Sequence, residues 1–296
     1  MVKNKRVKFD KAFPYLMCLP ALILFLALVV TPFIEGLRTS FFSWDGLGEM
    51  KWMGIKNYKF VLRDDVFWKA MGNTFIYAIL VTVLKNVIAM VLALILVKQT
   101  FMKSFFRVCV YMPVTFNYVV VGVLWTWIFN PTFGIMNSFL GIFGMTDFPG
   151  WLSDPNIALY SIIAVDVWKW MGFHTIILFG GLQGISADLY EAAEIDGANA
   201  WERFLHITIP QLNSSLVVSL LLSITGAFLA NFNLVNVMTG GGPSHATEVA
   251  LTYITTTSLR FSTIGKANAM SMVLFVFVFI FGFLQLKVYT REDNYE

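Results

Sequence analysis

Six stretches of this chain are apolar for long enough to cross a bilayer, and they constrain the fold before any motif is considered. They run approximately over 12–34, 71–97, 107–130, 156–183, 212–236 and 267–287. A hydrocarbon core of about 30 Å takes about 20 residues of helix. Each stretch is too long for a barrel strand, and none alternates with period two. In lipid, helix is then the element that satisfies its own backbone. Charge agrees: 13% of residues are charged and 57% hydrophobic, against about 25% charged in soluble domains. The mean hydropathy is +0.70. The expected fold is an all-α integral membrane protein of six transmembrane helices, a single transmembrane domain over 1–296 with the lipid bilayer around it. Pro20, Pro32 and Pro113 fall inside these stretches, as membrane helices tolerate.

Six spans put both termini on one side. Lys3, Lys5, Arg6, Lys8 and Lys11 precede the first stretch, and cytoplasmic flanks collect Lys and Arg. Both termini are therefore expected in the cytoplasm. The first stretch carries no charge from Ala12 to Ile34. It is too long for a signal peptide's apolar region and shows no small-residue cleavage site, so it is read as a retained span. Connection 98–106 holds Lys98 and Lys103, whereas 131–155 has no Lys or Arg. Loop 35–70 departs from the rule with six bases, offset by Glu35, Asp45, Glu49, Asp64 and Asp65.

On this topology the connection 184–211 is cytoplasmic, yet it is acidic. It carries Asp188, Glu191, Glu194, Asp196 and Glu202 against Arg203 alone. Interfacial helices favour Lys and Arg on their polar face, so a mere surface helix has the wrong sign here. Asp188 followed by Glu191 reads as a capping-box start. A short helix would run through Ala192, Ala193 and Ile195, with Gly197 as the turn where positive φ costs nothing. A second would run from about Asn199 to Ile207, with Pro210 ending it. A helix-turn-helix knuckle of this charge is read as a dock for a soluble partner.

These residues also carry a resemblance. Glu191-Ala192-Ala193, three residues, Gly197, nine residues, then Ile207-Thr208-Ile209-Pro210 resembles the EAA loop of ABC importer permeases, which usually have Leu in place of Ile209. The string Leu189 to Ala198 resembles the carbohydrate-uptake branch, the maltose-type sugar permeases. Asn57-Tyr58, Phe67-Trp68, Asn73-Thr74, Trp151-Leu152, Thr239-Gly240-Gly241-Gly242-Pro243 and Thr247-Glu248 are similar to strings of the same branch. The resemblance implies a type I importer permease in a bacterial inner membrane. Its loop would seat Glu191, Ala192, Ala193, Asp196, Gly197 and Pro210 on an ATPase subunit. It also implies the partners: a second homologous permease, two ATP-binding subunits and an extracytoplasmic solute-binding protein. ATP and Mg would be bound by the ATPase subunits and no cofactor by this chain. The substrate would be a sugar or oligosaccharide, moved by ATP-driven alternating access.

What the chain lacks is consistent with that division of labour. Gly265-Lys266 is followed by Ala267 with no upstream glycine in register, so there is no phosphate-binding loop. Neither H-E-x-x-H nor G-x-S-x-G occurs, and His174, His206 and His245 lack zinc spacing. No enzymatic site is expected. Cys18 and Cys109 lie inside apolar runs, which gives no reason to read a disulfide. The net charge of +3 forms no basic stripe, so nucleic acid is not an expected partner.

Polar groups at membrane depth are candidates for a solute path. Stretch 156–183 carries Asp166 and Lys169, flanked by Trp168 and Trp170; 71–97 carries Lys85 and Asn86; 212–236 ends in Asn231, Asn233 and Asn236. Two readings stand for the charges. Asp166 neutralises Lys169 one turn away, or Lys85 from another helix; alternatively these groups face the solute. The structural reading is preferred for the charges and the functional one for Asn231 and its neighbours. The resemblance adds Phe228, Asn231 and Asn233 on the fifth helix, with Trp168, Lys169 and Thr175 on the fourth, as lining of the path. The competing function is a secondary transporter or channel driven by an ion gradient through Asp166, Lys169 and Lys85. A scaffold without transport is a third, which the asparagines at membrane depth disfavour.

Overall fold

The computed structural model describes residues 3–98 and 103–292; the side chains of 3–12, 103, 229–230, 286 and 288–292 lie outside that description. The bases Lys3, Lys5, Arg6, Lys8, Lys11 and Lys103, which bear on orientation, are among those side chains. In chain order the helices are α1 (Lys3–Phe25), α2 (Thr31–Thr39), α3 (Lys56–Leu62), α4 (Asp65–Lys98), α5 (Lys103–Tyr111), α6 (Tyr118–Ile128), α7 (Ile135–Ile142), α8 (Ala158–Gln183), α9 (Ala187–Ile195), α10 (Ala200–Arg203), α11 (Ile209–Gln211), α12 (Asn213–Met238), α13 (Ala250–Leu259) and α14 (Ile264–Glu292). Strands β1 (Phe42–Ser43) and β2 (Lys51–Trp52) pair antiparallel between α2 and α3.

Among the described residues, four helical segments are long and apolar enough to cross a membrane: Phe13–Thr39, Asp65–Lys98, Ala158–Gln183 and Ile264–Gln285. Two more are bent pairs. Ser104–Thr115 meets Tyr118–Ile128 at 98°, and Ala200–Gln211 meets Asn213–Phe228 at 71°. The stretch 107–130 is therefore broken, not one helix. Pro113 has no amide to donate and crowds the preceding turn. A 3₁₀ turn over Met112–Thr115 follows α5, and the backbone becomes extended at Phe116 (ψ 143°). Asn117 then caps α6, its Oδ1 accepting from the Val119 amide at 2.8 Å.

The chain forms two compact units, 1–64 with 254–275, and 65–253 with 276–296. In the first, α1 passes into α2 through a π turn, Leu26–Val30, closed by the Thr31 amide on the Leu26 carbonyl. Pro32 lies just beyond it. The apolar window of this span is 0% buried by the protein itself, as a helix facing lipid or another chain would be. Asn57 Nδ2 donates to the carbonyls of Ser40 and Phe42, each at 2.8 Å, and Tyr58 shares a 2.7 Å hydrogen bond with Ser40 Oγ. Lys266 Nζ meets Asp64 Oδ2 at 2.9 Å.

In the larger unit α4, α8 and α12 pack together around Tyr77, Val81, Ile162, Val165, Leu234 and Val235. Lipid is as apolar as these side chains, so close fit and small residues set the packing. A Cβ at Gly172 would fall on the Val110 carbonyl of α5, and one at Gly122 on Val237 of α12. At Gly181 it would strike Ser215 and Leu212, where α12 begins. A second apolar cluster, with Ala89, Ala93, Leu178 and Leu212, lies toward the end of α8 that leads into α9.

The two ends of α4 carry different things. At its start Lys69 Nζ reaches the Ser244 carbonyl at 3.2 Å, and Asn73 Nδ2 binds the carbonyls of Ala246 and Glu248 at 3.0 and 2.9 Å. Thr74 Oγ1 accepts from the Ala250 amide at 2.9 Å. At its far end, Val97 and Lys98 line one groove with Trp201 and Phe204. The glycine-rich loop 239–249 and the acidic segment 184–211 are thus at opposite ends of one helix, about 50 Å long at 1.5 Å per residue.

Candidate coupling surface and solute path

The acidic segment builds the expected knuckle with different caps. Ser186, not Asp188, is the N-cap of α9, its Oγ accepting from the Asp188 amide at 3.3 Å. Asp188 sits in the first turn, where a carboxylate suits the helix dipole. Gly197 takes φ +82°, and the Ala198 amide reaches back to the Ala193 carbonyl at 2.9 Å. The true capping box is Asn199 with Glu202. Asn199 Oδ1 accepts from the amides of Trp201 and Glu202 at 3.0 Å each, and Glu202 Oε2 accepts from the Asn199 amide at 2.7 Å.

Pro210 does not end the second helix. After α10 the backbone widens into a π turn, Phe204–Thr208, and α11 carries Pro210 in its first turn. Proline is accommodated there because the helix, continuous over Ala200–Gln211, has just been widened by the π turn, which closes with the Ile209 amide on the Phe204 carbonyl. The chain ends its run at Leu212, bends, and becomes α12.

The knuckle is held from inside by two contacts. Arg203 Nη1 binds Glu194 Oε2 at 2.7 Å, and Tyr190 OH shares a 3.0 Å hydrogen bond with Thr208 Oγ1. It is held by little else, since α9 has no buried residue. Glu191, Ala192, Asp196 and Gly197 are exposed and Ala193 half-buried. Ile195 is 87% exposed and Trp201 65%. Ala193, Asp196, Gly197, Glu202, Arg203 and His206 border a shallow cleft of about 480 Å³. Sequence reasoning singled out the acids and passed over Ile195 and Trp201; the signal was a Trp in an otherwise polar turn.

At membrane depth the residues expected along a path separate. Asn231 is 0% exposed, and among the described residues neither its Oδ1 nor its Nδ2 has a partner. Asn233 is exposed, because residues two apart on a helix face different ways. Phe228 packs on Phe75 and Phe281 with centroids 5.5 and 5.6 Å away. Trp168 stands edge-on to Trp125 at 5.3 Å. Thr175 Oγ1 donates to its own helix, at the Met171 carbonyl (2.8 Å).

The charges resolve between the two structural options. Lys85 Nζ binds Asp166 Oδ2 at 2.9 Å, with side chains 4% and 0% exposed. Lys169 is not Asp166's partner. Its ammonium donates to the carbonyls of Pro113, Val114 and Phe116 at 3.5, 3.0 and 2.7 Å. An ammonium has three protons, so none is left for a solute. A further buried chain went unread: Ser219 Oγ donates to Asn86 Oδ1 at 2.6 Å and therefore accepts from His174 Nδ1, 2.9 Å away. It ties α4, α8 and α12 together.

Residues 85–291 match the family described as binding-protein-dependent transport system inner membrane component. The chain belongs to that family. It is 33% identical over 287 residues to the probable ABC transporter permease protein YurN of Bacillus subtilis, covering 96% of this chain and 98% of that one. It is 34% identical over 246 residues to the trehalose/maltose transport system permease protein MalF of Thermococcus litoralis, covering 82% and 83%. The permease also has the fold of a chain in a crystal structure of a bacterial ABC transporter involved in import of the acidic polysaccharide alginate. There the TM-score is 0.84 at 22% identity, over 97% of this chain and 99% of that one. That fold is the type I importer fold, in a multi-pass membrane protein.

Proposed function

We propose that this permease is the membrane subunit of an importer that moves a sugar or oligosaccharide by ATP-driven alternating access. It would work with a second permease, two ATP-binding subunits and an extracytoplasmic solute-binding protein, in a bacterial inner membrane with both termini in the cytoplasm. One observation carries the reading: α9 presents acids and bare apolar side chains, and none of its residues is fully buried. A nine-residue helix is too short to be stable unaided. A partner that covers Ile195 and Trp201 and faces the acids completes it. Closure of the ATPase pair would pull on 187–203, and the 71° bend at Leu212 would pass that motion to α12.

Two facts bear on the cargo. The MalF relative transports trehalose and maltose by name, and a protein named for starch degradation products, AmyD of Thermoanaerobacterium thermosulfurigenes, is 31% identical over 278 residues. Within this chain, Asn231 holds an unmet donor and acceptor, the pairing a sugar hydroxyl supplies, but it is fully buried here, so a sugar would meet it only once the helices had moved apart. The ion-driven reading is left with little, since Lys85 and Asp166 neutralise each other and Lys169 is occupied by carbonyls. The test is ATPase retention in purified complexes of Gly197→Val and Glu191→Lys. Valine at φ +82° is an outlier conformation. Each variant is expected to reach the membrane and lose both ATPase co-purification and uptake. Uptake that follows a proton or sodium gradient, ignores ATP depletion and survives both changes would overturn the proposal.

A further inference from the structure

The elbow at 112–117 has the form of a cation site. A broken helix at membrane depth frees carbonyls, and lipid offers them nothing. Elsewhere, unwound helices in membranes use such carbonyls to coordinate a monovalent ion. Here three of them, from Pro113, Val114 and Phe116, converge on one nitrogen, Lys169 Nζ. Two aromatic faces complete the enclosure. The ammonium is 4.8 Å from the Tyr118 ring centroid and 5.1 Å from that of Trp170, within cation–π range. Trp170 is itself fixed by donating its Nε1–H to Tyr118 OH.

The charge balance is the second observation. Asp166, one turn from Lys169, is bound by Lys85, so that pair is neutral. Lys169 makes no ion pair among the described residues, is 2% exposed, and lies at the middle of α8. The groups in direct contact with its ammonium are carbonyl dipoles and ring faces, with no carboxylate among them. That is how a bare ion is held, not how a salt bridge is built. Gly172, one turn further on, lets the backbone of Val110 and Tyr111 at the end of α5, just before the elbow, come close to α8.

We infer that the elbow 113–116 is a monovalent-cation site which the chain fills with its own ammonium, and that Lys169 thereby positions α6 at its 98° angle to α5. The tethered cation makes the elbow indifferent to the ions of the medium. It holds whatever solute the permease carries.

The experiment uses the whole complex carrying Lys169→Met, with unfolding temperature and uptake measured in choline, sodium, potassium and methylammonium chlorides. Wild type is expected to be the same in all four. The variant is expected to lose stability and at least tenfold in uptake in choline, and to regain both in a small cation, methylammonium above all. Lys169→Gln is the second variant. It keeps two N–H donors without the charge, and the inference requires it to remain cation-dependent. A hydrogen-bonding role alone would make Lys169→Gln behave as wild type in choline. Variants that are indifferent to the cation, whether active, inactive or unable to assemble, overturn the inference.

Discussion

The permease breaks its helices twice, and the two breaks are finished in opposite ways. At the 98° elbow between α5 and α6 three carbonyls and the first turn of α6 are met from within the chain. Lys169 takes three carbonyls, Asn117 caps the next helix, and Gly172 lets the backbones touch. At the 71° bend before α12 the chain secures only the inner side, where Leu212 is fully buried. The outer side, α9 and α10, is capped and cross-braced but uncovered. The depth of each break explains the difference. An interior break has no water to fall back on, so its polar groups need protein. A break at the end of the spans can leave its surface for another molecule.

The comparison breaks most severely at Gly172. Gly172→Ala puts a methyl group on the Val110 carbonyl, backbone against backbone, which no rotamer relieves. Almost no permease is expected in the membrane fraction by immunoblot, while the same change at Gly197, strained by its φ of +82° but with no described atom beyond its chain neighbours within 4 Å of the added carbon, should leave its level near normal. Equal levels for the two would erase the distinction between a closed and an open break.

The buried pair comes next. Asp166→Asn strands the Lys85 charge, and breaking such a pair costs about 3–5 kcal/mol. The expected result is a large fall in unfolding temperature of the purified complex. The double variant Lys85→Met with Asp166→Leu should recover most of it, because well-packed apolar replacements of buried pairs are often neutral. A double variant worse than Asp166→Asn would mean that the charges do more than neutralise each other.

A smaller effect is expected at the opposite end of α4. Asn73→Ala removes two hydrogen bonds to the loop 239–249 and leaves two carbonyls short, a loss of about 1–3 kcal/mol per stranded group. Hydrogen exchange should rise in 244–249 and stay unchanged in 187–203, nearly a full helix length away. The smallest change is Asn199→Ala, which removes the cap of α10 and costs about 1 kcal/mol. Its effect should appear in the free permease and shrink in the assembled complex, where a partner would hold the knuckle.

Much of this was legible beforehand. Long apolar stretches announce helices in lipid whatever their neighbours do, and the Gly197 turn was readable because positive φ has a strong residue preference. What stayed hidden depended on distant residues. The stretch 107–130 is apolar throughout, and Pro113 alone does not break a membrane helix; the break is stabilised by a lysine more than fifty residues away. Asp166 had two lysines in reach, one on its own helix, and only packing chose Lys85. Ser186 and Asp188 are both good caps, so the start of α9 was misread by two residues. Pro210 reads as a stop after a regular helix and as a first-turn residue after a π turn, and sequence does not announce the π turn.

The most direct test of the open break is cross-linking at Ile195. Ile195→Cys, in the assembled complex, is treated with a short bifunctional thiol reagent against cysteines placed on the ATPase surface, with Ser153→Cys as control. The account predicts a permease–ATPase product from position 195 whose yield changes when ATP is added, and none from position 153. No product at 195, in complexes that retain ATPase and transport, would contradict it.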